Sequence, residues 1–182
     1  MKDEDNFTPY MRFAAELAWQ GQGKVEPNPM VGALLFNNGK IIGHGWHNEF
    51  GGPHAEIEAI EDAKKKGEKI EGSLLIVTLE PCCHKGKTSP CTDVIIREKI
   101  EAVLFGEWDW NPKVNGKGIK KLKKAGIATM EWSIPETQEL YKFYEHNVEE
   151  NPRPYIHLKV ACTQTGEITL ERGKKTVLSS PE

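Results

Sequence analysis

SLLIVTL, residues 73–79, runs directly into EPCC, residues 80–83, and the reading of this stretch decides the fold. The run is short, apolar without interruption and rich in β-branched residues, as expected of a strand buried on both faces. Upstream, HAEIEAIEDAKKK (54–66) repeats apolar residues at Ala55, Ile57, Ala59, Ile60 and Ala63, which predicts a helix that Gly67 is placed to end. VGALLF (31–36) and IIGHGWH (41–47) flank the turn residues NNGK and predict an antiparallel hairpin. TPYMRFAAELAWQ (8–20) predicts a helix capped by Thr8, with Pro9 at its first position and Gly21 closing it.

Downstream, Ser89 or Thr92 is placed to cap a helix through DVIIREK, and EAVLFG (101–106) reads as a second buried strand. GIKKLKKAG is a short basic helix, IATMEW a further strand and PETQELYKFYEHNVEE (135–150) a last helix. After the break NPRP comes one more expected strand, YIHLKVAC (155–162). Alternating strands and helices predict an α/β fold with parallel members, and the hairpin makes the sheet mixed. Open sheets of this class carry their chemistry at the carboxyl ends of the strands, where Cys82 and Asp109 fall.

At 182 residues the chain is long enough for one domain with a core, plus about thirty residues of appendage. The net charge of -3 offers no general attraction to polyphosphate, so no nucleic-acid partner is expected. The first residues, MKDEDNF, are polar and acidic, and no run of about 18 apolar residues occurs. Neither a signal peptide nor a membrane span is expected, and the location predicted is cytoplasmic. Cys82, Cys83, Cys91 and Cys162 suit metal binding or catalysis better than disulfides, given the adjacent pair and an unexported chain.

Two clusters stand out chemically: His54-Ala55-Glu56 opening one helix, and Pro81-Cys82 followed by Cys91 opening or just preceding another. One imidazole and two thiolates suit Zn2+, and three protein ligands leave a fourth tetrahedral position open, which is the catalytic arrangement. The order H-x-E then P-C resembles the H-x-E and P-C-x-x-C pattern of zinc deaminases. His54, Cys82 and Cys91 are therefore the expected ligands, and Glu56 the residue that moves protons. Residues two apart on a regular helix diverge, so His54 must sit at the irregular first turn. Eight residues, CHKGKTSP, separate the two cysteines where the general pattern has two, so a special loop is expected to bulge out. The competing reading is a structural zinc site built locally from Cys82, Cys83, His84 and Cys91. Cys83 and Cys162 otherwise read as buried small residues or idle thiols, and Lys117 to Lys124 as a solvated helix face.

PNPMVGALL, GHGWH, PHAEIEAI, VTLEPCCHKGKTSPCTDVII and GKGIKKLKKAGI together resemble, in order, the pyrimidine deaminase domain of riboflavin biosynthesis, usually the amino-terminal half of a bifunctional deaminase-reductase. The long CCHKGKTSPC loop is the discriminating part. The resemblance implies a three-layer αβα sandwich of the cytidine deaminase-like kind. It implies zinc-dependent hydrolysis of an amino group of 2,5-diamino-6-(5-phosphoribosylamino)pyrimidin-4(3H)-one, a small phosphorylated pyrimidine. It also implies that Asn28, His47, His84, Lys87, Asp109 and Asn111 contact substrate. Trp110 replaces the proline usual after the aspartate, and Trp108 is atypical, implying a differently shaped pocket rim. The domains expected are residues 1–150 as the deaminase and 151–182 as a linker and truncated reductase-like remnant, without room for reductase activity. In the remnant, Thr165-Gly166 stands where the family has Asp-Gly. An unpaired YIHLKVAC strand would favour a homodimer by edge pairing, and a separate reductase would be the natural partner. The other readings kept open are deamination of another nucleotide or tRNA base, and a non-catalytic zinc-stabilised partner of a separate reductase.

Overall fold

The computed structural model describes residues 7–84, 89–148, 154, 156 and 158–168. Five strands, β1 (Gly32–Asn37), β2 (Lys40–Trp46), β3 (Leu74–Leu79), β4 (Ala102–Glu107) and β5 (Ala128–Glu131), form one sheet in the order β2-β1-β3-β4-β5. β1 runs antiparallel to both β2 and β3, whereas β3, β4 and β5 are mutually parallel. The sheet is mixed, as expected. Asn38 and Gly39, both at positive φ (49° and 78°), form the tight turn between β1 and β2 that the residues NNGK predict.

Helices α1 (Thr8–Ala18) and α5 (Pro135–Val148) cover one face; α2 (Ala55–Lys65), α3 (Cys91–Arg97) and α4 (Lys117–Lys124) cover the other. The uninterrupted apolar strands follow from this layering. Leu75, Val77, Val103 and Phe105 pack toward α2, α3 and α4, while the intervening Ile76 and Leu104 pack with Met11 and Ala14 of α1. Period-two alternation therefore satisfies two cores at once, and a polar residue on either face of β3 would need a partner. Thr78 has one: its hydroxyl lies 2.6 Å from the Tyr141 hydroxyl of α5 and accepts from the Gly32 N–H at 3.1 Å.

α2 lies unusually close to β2. A Cβ added at Gly43 would fall 2.3 Å from the Ala59 carbonyl oxygen, and one at Gly45 would fall 2.4 Å from the Glu58 Cβ and 2.6 Å from the Ala59 nitrogen. The spacing in GHGWH is thus set by helix-on-strand contact, not by turn chemistry. His44, between the glycines, is held by its N–H to Asp62 Oδ2 at 2.9 Å. Gly45→Ala is expected to force α2 outward and to lower stability by about 1–3 kcal/mol, read as a lower urea midpoint with an unchanged m value.

Three expectations are corrected. Phe7, not Thr8, is the cap residue of α1; the Thr8 hydroxyl instead accepts from Trp132 Nε1 at 3.1 Å. α3 begins at Cys91 after the cap residue Pro90, so neither Ser89 nor Thr92 caps it. The expected strand YIHLKVAC does not form among its described residues: Leu158 to Cys162 carry no strand, and Tyr155 and His157 lie outside the described residues. Edge pairing through that segment therefore has no support. Contacts divide the chain into Met1–Asn151 and Pro152–Glu182; in the second unit a tight turn joins Thr163 to Glu167, with Thr163 N–H donating to the Glu167 carbonyl at 2.9 Å. No helix among the described residues is long and apolar enough to cross a membrane.

Candidate metal centre

The loops leaving β3 and β4 and the amino-terminal ends of α2 and α3 meet on one side of the sheet. His54 is the cap residue of α2, with extended backbone (φ -77°, ψ 159°), and Glu56 lies in the first helical turn. The irregular first turn required for the two side chains to converge is present. Pro81-Cys82 follows β3, and the eight-residue excursion returns so that Cys91 opens α3. The Cys91 N–H donates to Cys82 Sγ at 3.3 Å and the Thr92 N–H donates to the Cys82 carbonyl at 3.1 Å, pinching the loop shut at its base.

The ligand atoms of His54, Cys82 and Cys91 lie within 4.8 Å of one another. His54 Nδ1 is 3.5 Å from Cys82 Sγ and 3.3 Å from Cys91 Sγ. Tetrahedral zinc bonds of ordinary length set nitrogen-to-sulfur edges of about 3.5 Å, so both His54-to-sulfur distances suit the ion. Proton affinities point the same way. Hydrogen bonding to the Cys82 sulfur raises His54 to about 9. The Cys91 thiol first, then His54, brings Cys82 down to about 4 against the opposing effect of burial. Cys91 is pushed well up, chiefly by its bond to Cys82 and then by burial. A thiolate held between two proton-bearing neighbours is the electrostatic equivalent of a cation site.

The local four-ligand alternative does not form. Cys83 turns away, its Sγ 3.8 Å from the Lys113 carbonyl oxygen, and the one cluster of three His, Cys, Asp or Glu ligands among the described residues is His54, Cys82 and Cys91. Cys83 is half-buried and Cys162 exposed, so the idle-thiol reading fits both better than the buried one.

Glu56 is buried, at 3 % exposure, and burial pushes its carboxyl above the ordinary value. It lines a cavity of about 250 Å³ together with His54, Cys82, Asn28, His47, His84, Asp109 and Asn111. Cys91 is fully buried behind this wall, and Lys87 lies outside the described residues. His47 Nδ1 is 2.8 Å from the Pro53 carbonyl, to which it must donate; Nε2, 3.2 Å from Asn28 Nδ2, therefore accepts. Burial holds His47 below the ordinary imidazole value, in keeping with this neutral tautomer.

Among the lining residues that sequence reasoning missed, Glu80 and Tyr144 carry polar side chains. Glu80 is buried, and its oxygens accept the N–H groups of Gly116 (2.8 Å) and Ile119 (3.1 Å), tying the end of β3 to the start of α4. A carboxylate ending an otherwise apolar strand was the available signal. Glu80→Gln places an amide against a backbone N–H and is expected to cost about 1–3 kcal/mol, measured by chemical denaturation. Tyr144 comes from α5, a helix whose sequence pattern gives no hint of a site.

A sheet with this strand order and a His/Cys/Cys cluster at the carboxyl ends of its strands defines a zinc-binding deaminase class. The chain belongs to the family described as the cytidine and deoxycytidylate deaminase zinc-binding region, whose profile matches residues 5–107. Within it, the chain is similar to the riboflavin biosynthesis protein RibD of Aquifex aeolicus, at 43% identity over 95% of this chain and 48% of that protein. It is 48% identical to a diaminohydroxyphosphoribosylamino-pyrimidine deaminase of Buchnera aphidicola, over 65% of this chain and 79% of that protein. A crystal structure of a diaminohydroxyphosphoribosylaminopyrimidine deaminase/5-amino-6-(5-phosphoribosylamino)uracil reductase from Thermotoga maritima superposes with a TM-score of 0.85 at 46% identity, covering 94% of this chain and 49% of that one. The chain thus spans about half the length of the bifunctional relatives it matches.

Proposed function

We propose that the chain catalyses zinc-dependent hydrolytic deamination of 2,5-diamino-6-(5-phosphoribosylamino)pyrimidin-4(3H)-one, releasing ammonia. The observation that carries this reading is the placement of buried Glu56 on the same cavity wall as His54 and Cys82, with the three ligand atoms already at bonding range of one ion. His54 Nδ1, Cys82 Sγ and Cys91 Sγ would hold Zn2+, which when bound activates water for attack on the ring carbon. Glu56 takes a proton from that water and delivers it to the ring nitrogen, then takes the remaining hydroxyl proton and passes it to the leaving amine. Burial supports this double duty, since raised proton affinity favours uptake of the proton by the carboxyl before it is passed on.

Asn28, His47, His84, Lys87, Asp109 and Asn111 are assigned to substrate. The His47 tautomer supports a particular role for Asn28: its amide nitrogen is engaged by His47, which orients Asn28 Oδ1 as the acceptor toward a substrate donor. Residues 1–150 are the deaminase domain in this reading, and the remainder a linker and reductase-like remnant. A reductase acting on the deaminated product is the functional partner, attached or separate, and the location is the cytoplasm.

Ammonia release from the diaminopyrimidine phosphate, measured beside cytidine and deoxycytidylate with the zinc-loaded chain, tests the substrate. The diaminopyrimidine should be preferred by orders of magnitude in kcat/KM. Preference for either of the others would replace this reading with that of a nucleoside or nucleotide deaminase.

A further inference from the structure

Asp109 is 6 % exposed, yet it sits in the cavity wall. Both of its hydrogen bonds fall on one oxygen: Oδ1 accepts the Asn111 N–H at 2.8 Å and the Tyr144 hydroxyl at 3.0 Å. The first is a turn contact two residues along the chain, which any Asp-x-x segment can form. The second comes from 35 residues away, on the last turns of α5. Oδ2 has no hydrogen-bond partner among the described residues. A carboxylate in the cavity wall with both hydrogen bonds on one oxygen keeps the acceptor capacity of the other for a donor in that cavity.

We propose that Tyr144 is a positioning residue for substrate: by bonding Oδ1 it fixes the plane of the Asp109 carboxylate and leaves Oδ2 to accept from an amine or hydroxyl of the bound molecule. The proposal rests on the deaminase reading above and adds a residue, Tyr144, that this reading does not use. Tyr144 suits the role. Burial, then the Asp109 charge, raises its phenol, so it stays a donor at every working pH. Its ring packs edge-on to Trp110 (centroids 6.5 Å apart), and Trp110 lies 6.0 Å from the Tyr141 ring, so the hydroxyl is aimed from a rigid aromatic cluster. Trp110, which stands where proline is usual, thereby supplies a shelf that a proline could not.

Steady-state kinetics of the zinc-loaded chain with the diaminopyrimidine phosphate decides the matter. Tyr144→Phe is expected to raise KM about tenfold while kcat stays within about twofold, the pattern of lost binding that is equal in ground and transition states. In an Asp109→Ala background the same substitution should change KM by less than about twofold. Tyr141→Phe, which removes the buried bond to Thr78 from the same helix, should lower Tm and leave KM unchanged. An unaltered KM in Tyr144→Phe, or an equal effect with and without Asp109, overturns the proposal. If the wild-type chain releases no ammonia from this substrate, the deaminase assignment falls separately. Crystal structures of wild type and Tyr144→Phe then decide the positioning: a carboxylate that keeps its orientation without the phenol overturns it, and one that rotates upholds it.

Discussion

Glu56→Gln is expected to fold, to keep its zinc and to lose deamination by about 10²–10⁴-fold. Glutamine matches the shape of the buried side chain and removes a carboxyl that burial already disfavours in its charged form, so stability should hold or rise. What it lacks is a titratable proton, and the proposed reaction sends two protons through that group in one turnover. Metal content by elemental analysis, thermal melting and ammonia release on the same sample separate these effects. Unchanged turnover in a zinc-replete variant would remove Glu56 from the reaction.

The second large effect is a contrast between adjacent cysteines. Cys82→Ser should weaken zinc binding by more than about 100-fold, because replacing a direct sulfur ligand costs more than disturbing the groups around one. The loss should extend beyond one bond, since Cys82 Sγ also receives the Cys91 N–H that holds the second sulfur in place. Cys83→Ala should leave zinc affinity and turnover unaltered, since its sulfur faces the Lys113 carbonyl. Competition titration against a chromophoric chelator reads both. Equal losses from the two substitutions would restore the local four-ligand site.

Strands and ligands were legible in the sequence for a common reason: each depends on a short-range pattern with strong physical demands. Leu74 to Val77 must be apolar on both faces because helices cover both. His54 and Glu56 can share a site only across a helix start, and the proline before His54 marks one. Features fixed by distant partners were not legible. Thr8 looks like a cap until Trp132 claims its hydroxyl, and Tyr144 looks like one more residue of a surface helix until Asp109 lies beside it. YIHLKVAC shows the opposite failure, an apolar segment whose described residues take no strand conformation, because composition alone supplies no neighbour to pair with. Glycines 43 and 45 read as strand residues, yet the approach of α2 that demands them became visible only with the helix in position.

The pinch at the foot of the CHKGKTSP loop separates two jobs that a shorter connection would have to share. With both flanks locked to each other through Cys82 and Thr92, the excursion can lengthen, shorten or change composition without disturbing the coordination sphere. The length of that connection is thereby uncoupled from the spacing of the two sulfurs, which is set at its foot and not along its course.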